Sequence, residues 1–254
     1  MKIGAQLFTL RDYEKNLDDF AETLAKVADI GYRSVQVSGT CGFEANWLAE
    51  QLRKNGLVCP VTHTNPADVA NNTEMVAENH KIFGAKVVGL GSAAGIFEPE
   101  TFDYKAYIGQ FLPAAKKLHE HGLLLGYHNH QPEFNRIDGK NFLERFAADF
   151  PKDSFTFILD TFWIQYAGGD PAEWIRRFPG QVHCVHFKDM CVAGKDQRMA
   201  PVGSGNMNFE AAISACRDSG TEYILVEQDN CYGEDPFCCL KRSLEYLRSM
   251  GLSE

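Results

Sequence analysis

Short runs of β-branched and apolar residues alternate along the chain with longer stretches in which apolar positions recur every three or four residues. The first pattern suits strands buried on both faces, and the second suits helices that cover them with one apolar stripe. Eight such units follow one another, with strands expected at residues 3–8, 34–38, 58–63, 86–90, 123–129, 156–160, 182–186 and 223–227. Residues 17–30, LDDFAETLAKVADI, show the helical half of a unit: Leu17, Phe20, Leu24, Val27 and Ala28 share one face, and Asp18, Glu22 and Lys26 the other. Gly31, Gly56, Gly84, Gly122 and Gly220 each close a helical run just before a strand, where a left-handed residue ends a helix.

Open parallel sheets and closed barrels share this alternation, so the count of eight is what selects an α/β (β/α)8 TIM barrel. The length of 254 residues matches the roughly 250 that such a barrel needs. One domain over residues 1–254 is expected, because no Pro- or Ser-rich linker divides the chain. The longest irregular stretch, 191–206, follows the seventh strand and is expected to be an active-site loop, since long loops in compact domains usually bind or cover a ligand. With loops 41–44 and 92–98 it is expected to shape specificity.

Composition narrows the function. The formal net charge of -9 repels a phosphate backbone, which argues against nucleic acid as a partner. No apolar run approaches the ~18 residues of a membrane span, and MKIGAQLF lacks the basic and apolar regions of a signal peptide, so a cytoplasmic protein without membrane contact is expected. The eight cysteines include no C-x-x-C pair and read as reduced thiols, not as a zinc ribbon.

The candidate chemistry stands at the strand ends, where a barrel gathers side chains from different strands into one cup. Strand three ends in His63, strand five in His128, Asn129 and His130, strand six in Asp160, strand seven in His186, Lys188 and Asp189, and strand eight in Glu227 and Asp229. Asp160, His186 and Glu227 end consecutive strands and should meet. Two such carboxylates repel unless a cation lies between them, and an imidazole beside them completes a mixed oxygen and nitrogen site for a divalent metal. Strand alternation turns His128 and His130 inward and Tyr127 and Asn129 outward. His128 is the expected fourth ligand, with Glu133 as its rival from the following loop. Lys188 shares parity with His186 and should also face the cup. Carboxylate and imidazole donors suit Mn²⁺, Mg²⁺, Co²⁺ or Zn²⁺, with Mn²⁺ the first expectation. The Gly203-x-Gly205 pair is too short to define a phosphate site.

Five blocks carry a resemblance over essentially the whole chain: GYHNHQPEF at 126–134, LDTFW at 159–163, VHFKD at 185–189, PVGSGNMNF at 201–209 and ILVEQD at 224–229. With them the sequence resembles the sugar phosphate isomerase/epimerase family of the xylose isomerase-like TIM barrels. That resemblance implies a metal held by a Glu on strand five, an Asp on strand six, a His on strand seven and a Glu on strand eight. The last three map to Asp160, His186 and Glu227, whereas strand five here reads His128-Asn129-His130. In the epimerases the two metal-bound glutamates act as the acid/base pair, so this departure opens isomerisation, dehydration and elimination beside epimerisation.

The shared chemistry is removal of a proton next to a metal-polarised carbonyl, giving an enediolate. Expected catalytic residues are Glu227 as ligand and base, His130 or His128 as partner acid/base, and Lys188 at the developing oxyanion. Expected substrate contacts are His63, Asp229, Trp163 stacking on a sugar face and Phe8 lining the floor. The expected function is a metal-dependent isomerase or epimerase of a sugar, keto-sugar or derivative. The alternative is a metal-dependent dehydratase or eliminase, for example on a keto-glycoside. An apurinic-site endonuclease-like hydrolase ranks last, on the acidic balance. A homo-oligomer and a partner subunit completing the pocket both remain open.

Overall fold

In a computed structural model, which describes residues 1–98 and 100–253, eight parallel strands close into a barrel in the order β1, β10, β7, β6, β5, β4, β3, β2. The strands are β1 (Lys2–Gln6), β2 (Ser34–Val37), β3 (Val58–His63), β4 (Val87–Leu90), β5 (Leu124–His128), β6 (Phe155–Asp160), β7 (Val182–Phe187) and β10 (Tyr223–Val226). Glu254, the last residue of the expected barrel span, lies outside the described residues. Helices α1 (Leu17–Ile30), α2 (Ala45–Asn55), α3 (Pro66–Asn71), α4 (Thr73–Phe83) and α5 (Tyr104–Glu120) cover the first half. Helices α6 (Phe142–Asp149), α7 (Thr161–Tyr166), α8 (Pro171–Arg177), α9 (Phe209–Ser219) and α10 (Pro236–Ser249) cover the second.

The α1 helix forms as its pattern requires. Asn16 caps it by accepting from Asp18 N and Asp19 N, and Phe20, Leu24 and Val27 are buried on one face. Leu17, expected on that face, stands 40% exposed in the first turn. Gly31, Gly56, Gly84 and Gly220 are cap residues of their helices, while Gly122 falls one residue beyond His121, the cap of α5.

Two expectations are corrected. The first strand stops at Gln6, not at Phe8: the Gln6 side chain accepts from Phe8 N at 2.6 Å and turns the chain into a 3₁₀ segment, Leu7–Tyr13. The stretch 191–206 is not irregular throughout, because β8 (Asp189–Ala193) and β9 (Asp196–Ala200) pair as an antiparallel hairpin.

Residues packed between strands and helices form the main core. Val61, Val87, Ile158, Cys184 and Leu225 form a separate small apolar cluster. Side chains alternate along a strand, so the next positions of like parity are His63, Asp160, His186 and Glu227 at the C-terminal mouth. An apolar plug thus floors a polar cup. All eight cysteines are free thiols. Among the described residues no helix is long and apolar enough to cross a membrane.

Candidate metal centre

Register carries Asp160 and His186 to the mouth as a Cα pair between β6 and β7, and parallel pairing of β7 with β10 carries Glu227 beside them. Asp160 is divided between two tasks. Its Oδ1 accepts from Trp163 N at 3.0 Å and caps α7, which leaves Oδ2 to face the cup. Glu227 is held likewise: Gln6 Nε2 donates to its Oε1 at 2.8 Å, leaving Oε2 toward His186.

The two imidazoles of the four-residue cluster are each oriented by an acceptor on the far side of the ring. His128 Nδ1 donates to the Gly91 carbonyl at 2.9 Å, so Nε2 turns to Asp160 Oδ2 at 3.4 Å. His186 Nε2 donates to Gln36 Oε1 at 2.6 Å, so Nδ1 turns to Glu227 Oε2 at 2.9 Å. As neutral rings held by these outer acceptors, both imidazoles aim a lone pair at a carboxylate oxygen; burial keeps His186 below its ordinary pKa, whereas at His128 burial is outweighed by the pull of Asp160, which raises it. A cation between them relieves that conflict. One ligand atom from each of His128, Asp160, His186 and Glu227 lies within 4.8 Å of the other three, and all four residues are buried. The set of two imidazoles and two carboxylates fits a divalent transition metal, with the outer hydrogen bonds orienting the ligands.

Lys188 enters the same cluster. Its Nζ is 3.0 Å from Asp160 Oδ2, 2.8 Å from Glu227 Oε2 and 3.1 Å from Asp229 Oδ1. It is 1% exposed, so it is no rim lysine. Burial alone would lower its pKa, but Asp160, Glu227 and Asp229 hold it above the ordinary lysine range. Burial would raise Glu227, yet Lys188 and His186 hold it well below the carboxylate range. Burial and the charge of Glu227 push Asp229 up to about 6.

A cavity of about 390 Å³ opens above the cluster, and Phe8, His63, His128, His130, Lys188, Glu227 and Asp229 are among its walls. His63 binds Ser38 Oγ through Nδ1 at 3.1 Å, and its buried Nε2 has no partner. The His130 ring packs edge-on against His128 at 4.7 Å and at a tilt against Trp163 at 5.3 Å, measured between centroids. Burial pushes the His130 pKa down to about 3. Trp163 stands behind this wall: Lys188 Nζ lies 5.5 Å from its ring centroid, and it is not among the residues lining the cavity.

Glu133 is corrected. Its Oε1 accepts from Tyr127 OH at 2.6 Å and its Oε2 from His130 N at 3.0 Å, and it is outside the four-residue ligand group. Tyr127 points outward by strand parity, and Glu133 follows it to the outer face. Gln6 and Gln36, which orient Glu227 and His186, were not singled out in the sequence. Each is an amide within an otherwise apolar strand run, a signal strong enough to have marked them.

The closed barrel with a buried, metal-competent cluster at its C-terminal mouth defines an α/β-barrel protein of the metal-site type. The sequence profile of the xylose isomerase-like TIM barrels matches residues 24–250, and the chain belongs to that family. A sugar phosphate isomerase/epimerase from Parabacteroides distasonis superposes with a TM-score of 0.79 at 21% identity, over 98% of this chain and 93% of that one. An L-ribulose 3-epimerase gives 0.73 at 16% identity, over 99% and 95%. A probable 3-DHS dehydratase from Bacillus anthracis gives 0.71 at 14% identity, over 98% and 99%. At these identities the likeness is one of fold. No curated protein matches the chain.

Proposed function

We propose that this chain is a divalent-metal-dependent isomerase or epimerase that interconverts a sugar or keto-sugar through an enediolate, with Mn²⁺ as its metal. The observation that carries the reading is the pair of oriented imidazoles, His128 and His186, each aiming its inner nitrogen at a carboxylate oxygen. A metal bound there supplies Lewis-acid polarisation of a carbonyl and its neighbouring hydroxyl. Glu227 then serves as ligand and base on one side. His128 is occupied by Gly91 and Asp160, so the partner acid/base role falls to His130, which lines the cavity as a neutral imidazole and would hold a proton only transiently. Lys188 places positive charge where an oxyanion develops. His63, Phe8 and Asp229 contact the sugar, and Trp163 backs His130.

The cavity favours an uncharged sugar over its phosphate ester. Among the described residues lining it, Lys188 is the one lysine or arginine, and three carboxylates already hold its ammonium. A cytoplasmic setting remains part of this proposal.

Metal analysis of the purified protein and of an Asp160→Ala/Glu227→Ala double variant is the first test. The second is proton exchange from free ketoses and their phosphate esters in D2O with Mn²⁺ added. One metal per chain, lost in the variant, with deuterium entering a free ketose next to its carbonyl, supports the reading. Metal retained by the variant refutes the ligand assignment. Bound metal without exchange moves the assignment to the second reading, a dehydratase or eliminase. That reading is favoured by the histidine which β5 brings to the site where the resemblance implies a glutamate.

A further inference from the structure

The oxygens that Lys188 touches are the oxygens a metal would use. Its Nζ lies 3.0 Å from Asp160 Oδ2 and 2.8 Å from Glu227 Oε2, and those same two atoms face the inner nitrogens of His128 and His186. A divalent ion binds carboxylate oxygens at about 2.0–2.2 Å, so an ion on both oxygens and an ammonium on both oxygens would crowd two positive charges into one small space. The deep site takes one of them at a time.

Charge points the other way. Asp160, Glu227 and Asp229 supply three carboxylates at Lys188, all within hydrogen-bonding distance of its single ammonium. A divalent ion and the ammonium together neutralise that set, whereas either alone leaves it negative. The site accommodates both cations in charge but not at the same oxygens. Asp229 supplies the second place. It stands two residues beyond Glu227, its side chain is 24% exposed at the cavity, and its Oδ1 and Oδ2 lie 3.1 and 3.2 Å from Lys188 Nζ. A lysine stem is flexible enough to release the deep pair while keeping the mouth carboxylate.

We propose that Lys188 is a built-in competitor of the metal: the arriving ion displaces its ammonium from Asp160 and Glu227, and Asp229 retains it at the cavity mouth. Lys188 thereby lowers metal affinity, and Asp229 limits that loss. The inference rests on the metal reading above, and its sign is opposite to that of a lysine that merely scaffolds the two carboxylates. A scaffold, once removed, would let the carboxylates drift apart and weaken metal binding.

The test is calorimetric titration of Mn²⁺ into the wild type, Lys188→Met, Asp229→Asn and the double variant, with melting curves of each. Removing a cation that touches both ligand oxygens should tighten Mn²⁺ binding about tenfold or more. Asp229→Asn should weaken it more when Lys188 is present than when Lys188 is Met, because with Met there is no ammonium for Asp229 to retain and only its direct attraction for the ion is lost. Equal or weaker binding by Lys188→Met, with the wild type binding one ion, overturns this inference and leaves the metal reading standing. No binding by either the wild type or Lys188→Met overturns both. If Lys188→Met does not fold, Lys188→Gln carries the same comparison: tighter Mn²⁺ binding than the wild type supports the inference, and equal or weaker binding overturns it.

Discussion

His186 Nε2 donates to the Gln36 amide oxygen at 2.6 Å, within a pair that shows no solvent exposure. That bond sets which ring nitrogen faces Glu227. Gln36→Met keeps the length of the side chain and removes the acceptor, so the ring loses its tautomer preference. Outer partners of metal-bound histidines typically matter by 10–100-fold, so Mn²⁺ affinity should fall by roughly that factor. Calorimetry on the folded variant measures it, and an unchanged affinity would remove Gln36 from the site.

Asp160 joins two functions that a pair of substitutions separates. Asp160→Asn retains an oxygen for Trp163 N but loses the charge at Oδ2. It should abolish metal binding while holding most of the stability of α7. Asp160→Ala removes the cap too and should melt earlier, by a further ~1 kcal/mol. Metal stoichiometry and denaturant melts of both variants give the comparison. Equal stability of the two would show that the cap contributes nothing.

Asp189 holds the chain that follows the hairpin. Its Oδ2 accepts from Gly203 N at 2.9 Å and Gly205 N at 2.8 Å, and its Oδ1 from Met190 N at 2.7 Å and Met207 N at 3.3 Å. The two glycines thus cradle an internal carboxylate. A Cβ at Gly205 would meet Asp189 Oδ1 and the Met190 carbonyl, both at 2.5 Å. Asp189→Ala strands several backbone donors and should cost on the order of 2–4 kcal/mol. Gly205→Ala should be destabilising as well. Denaturant unfolding checks both, and a cost below half a kcal/mol for Asp189→Ala would refute the clamp.

Glu14 predicts a pH dependence of stability remote from the metal site. Its carboxylate is 1% exposed, neither oxygen has a partner, and burial pushes its pKa up to about 8, with Lys15 opposing. A raised carboxylate pKa means that the folded state holds a proton which the unfolded chain has released. The contribution to stability is therefore complete below about pH 4.5 and is lost as pH rises through about 8. Glu14→Gln should flatten that slope and make the variant more stable than wild type above pH 8, by a few kcal/mol at most. Urea midpoints from pH 5 to 9 decide it, and parallel curves for the two proteins would contradict it.

Strand periodicity makes much of this protein legible in its sequence. The two-residue alternation places Ile158 below Asp160, Cys184 below His186 and Leu225 below Glu227, so an apolar run ending in an ionisable group already states which side chain faces the cup. The same parity placed His128, His130 and Lys188 inward. Periodicity does not mark a strand end that a side chain sets, as where Gln6 accepts from Phe8 N and β1 ends early. The hairpin after β7 carries no such periodic signal, because its second strand, Asp196–Ala200, is short and mostly polar.

What the sequence determined by itself was local and periodic: the eight units, their facing residues and the types of donor at each strand end. What only the tertiary structure decided was which of those groups touch. Glu133 lies three residues from His130 along the chain, yet it turns outward to Tyr127. Gln36 and His186 lie 150 residues apart, yet they share a hydrogen bond. Lys188 could have ended on a solvated rim, but barrel closure set three carboxylates from β6 and the end of β10 around its ammonium. The physical reason is that facing is fixed by the period of one strand, whereas contact depends on the stagger between strands, which closes only when all eight are in register.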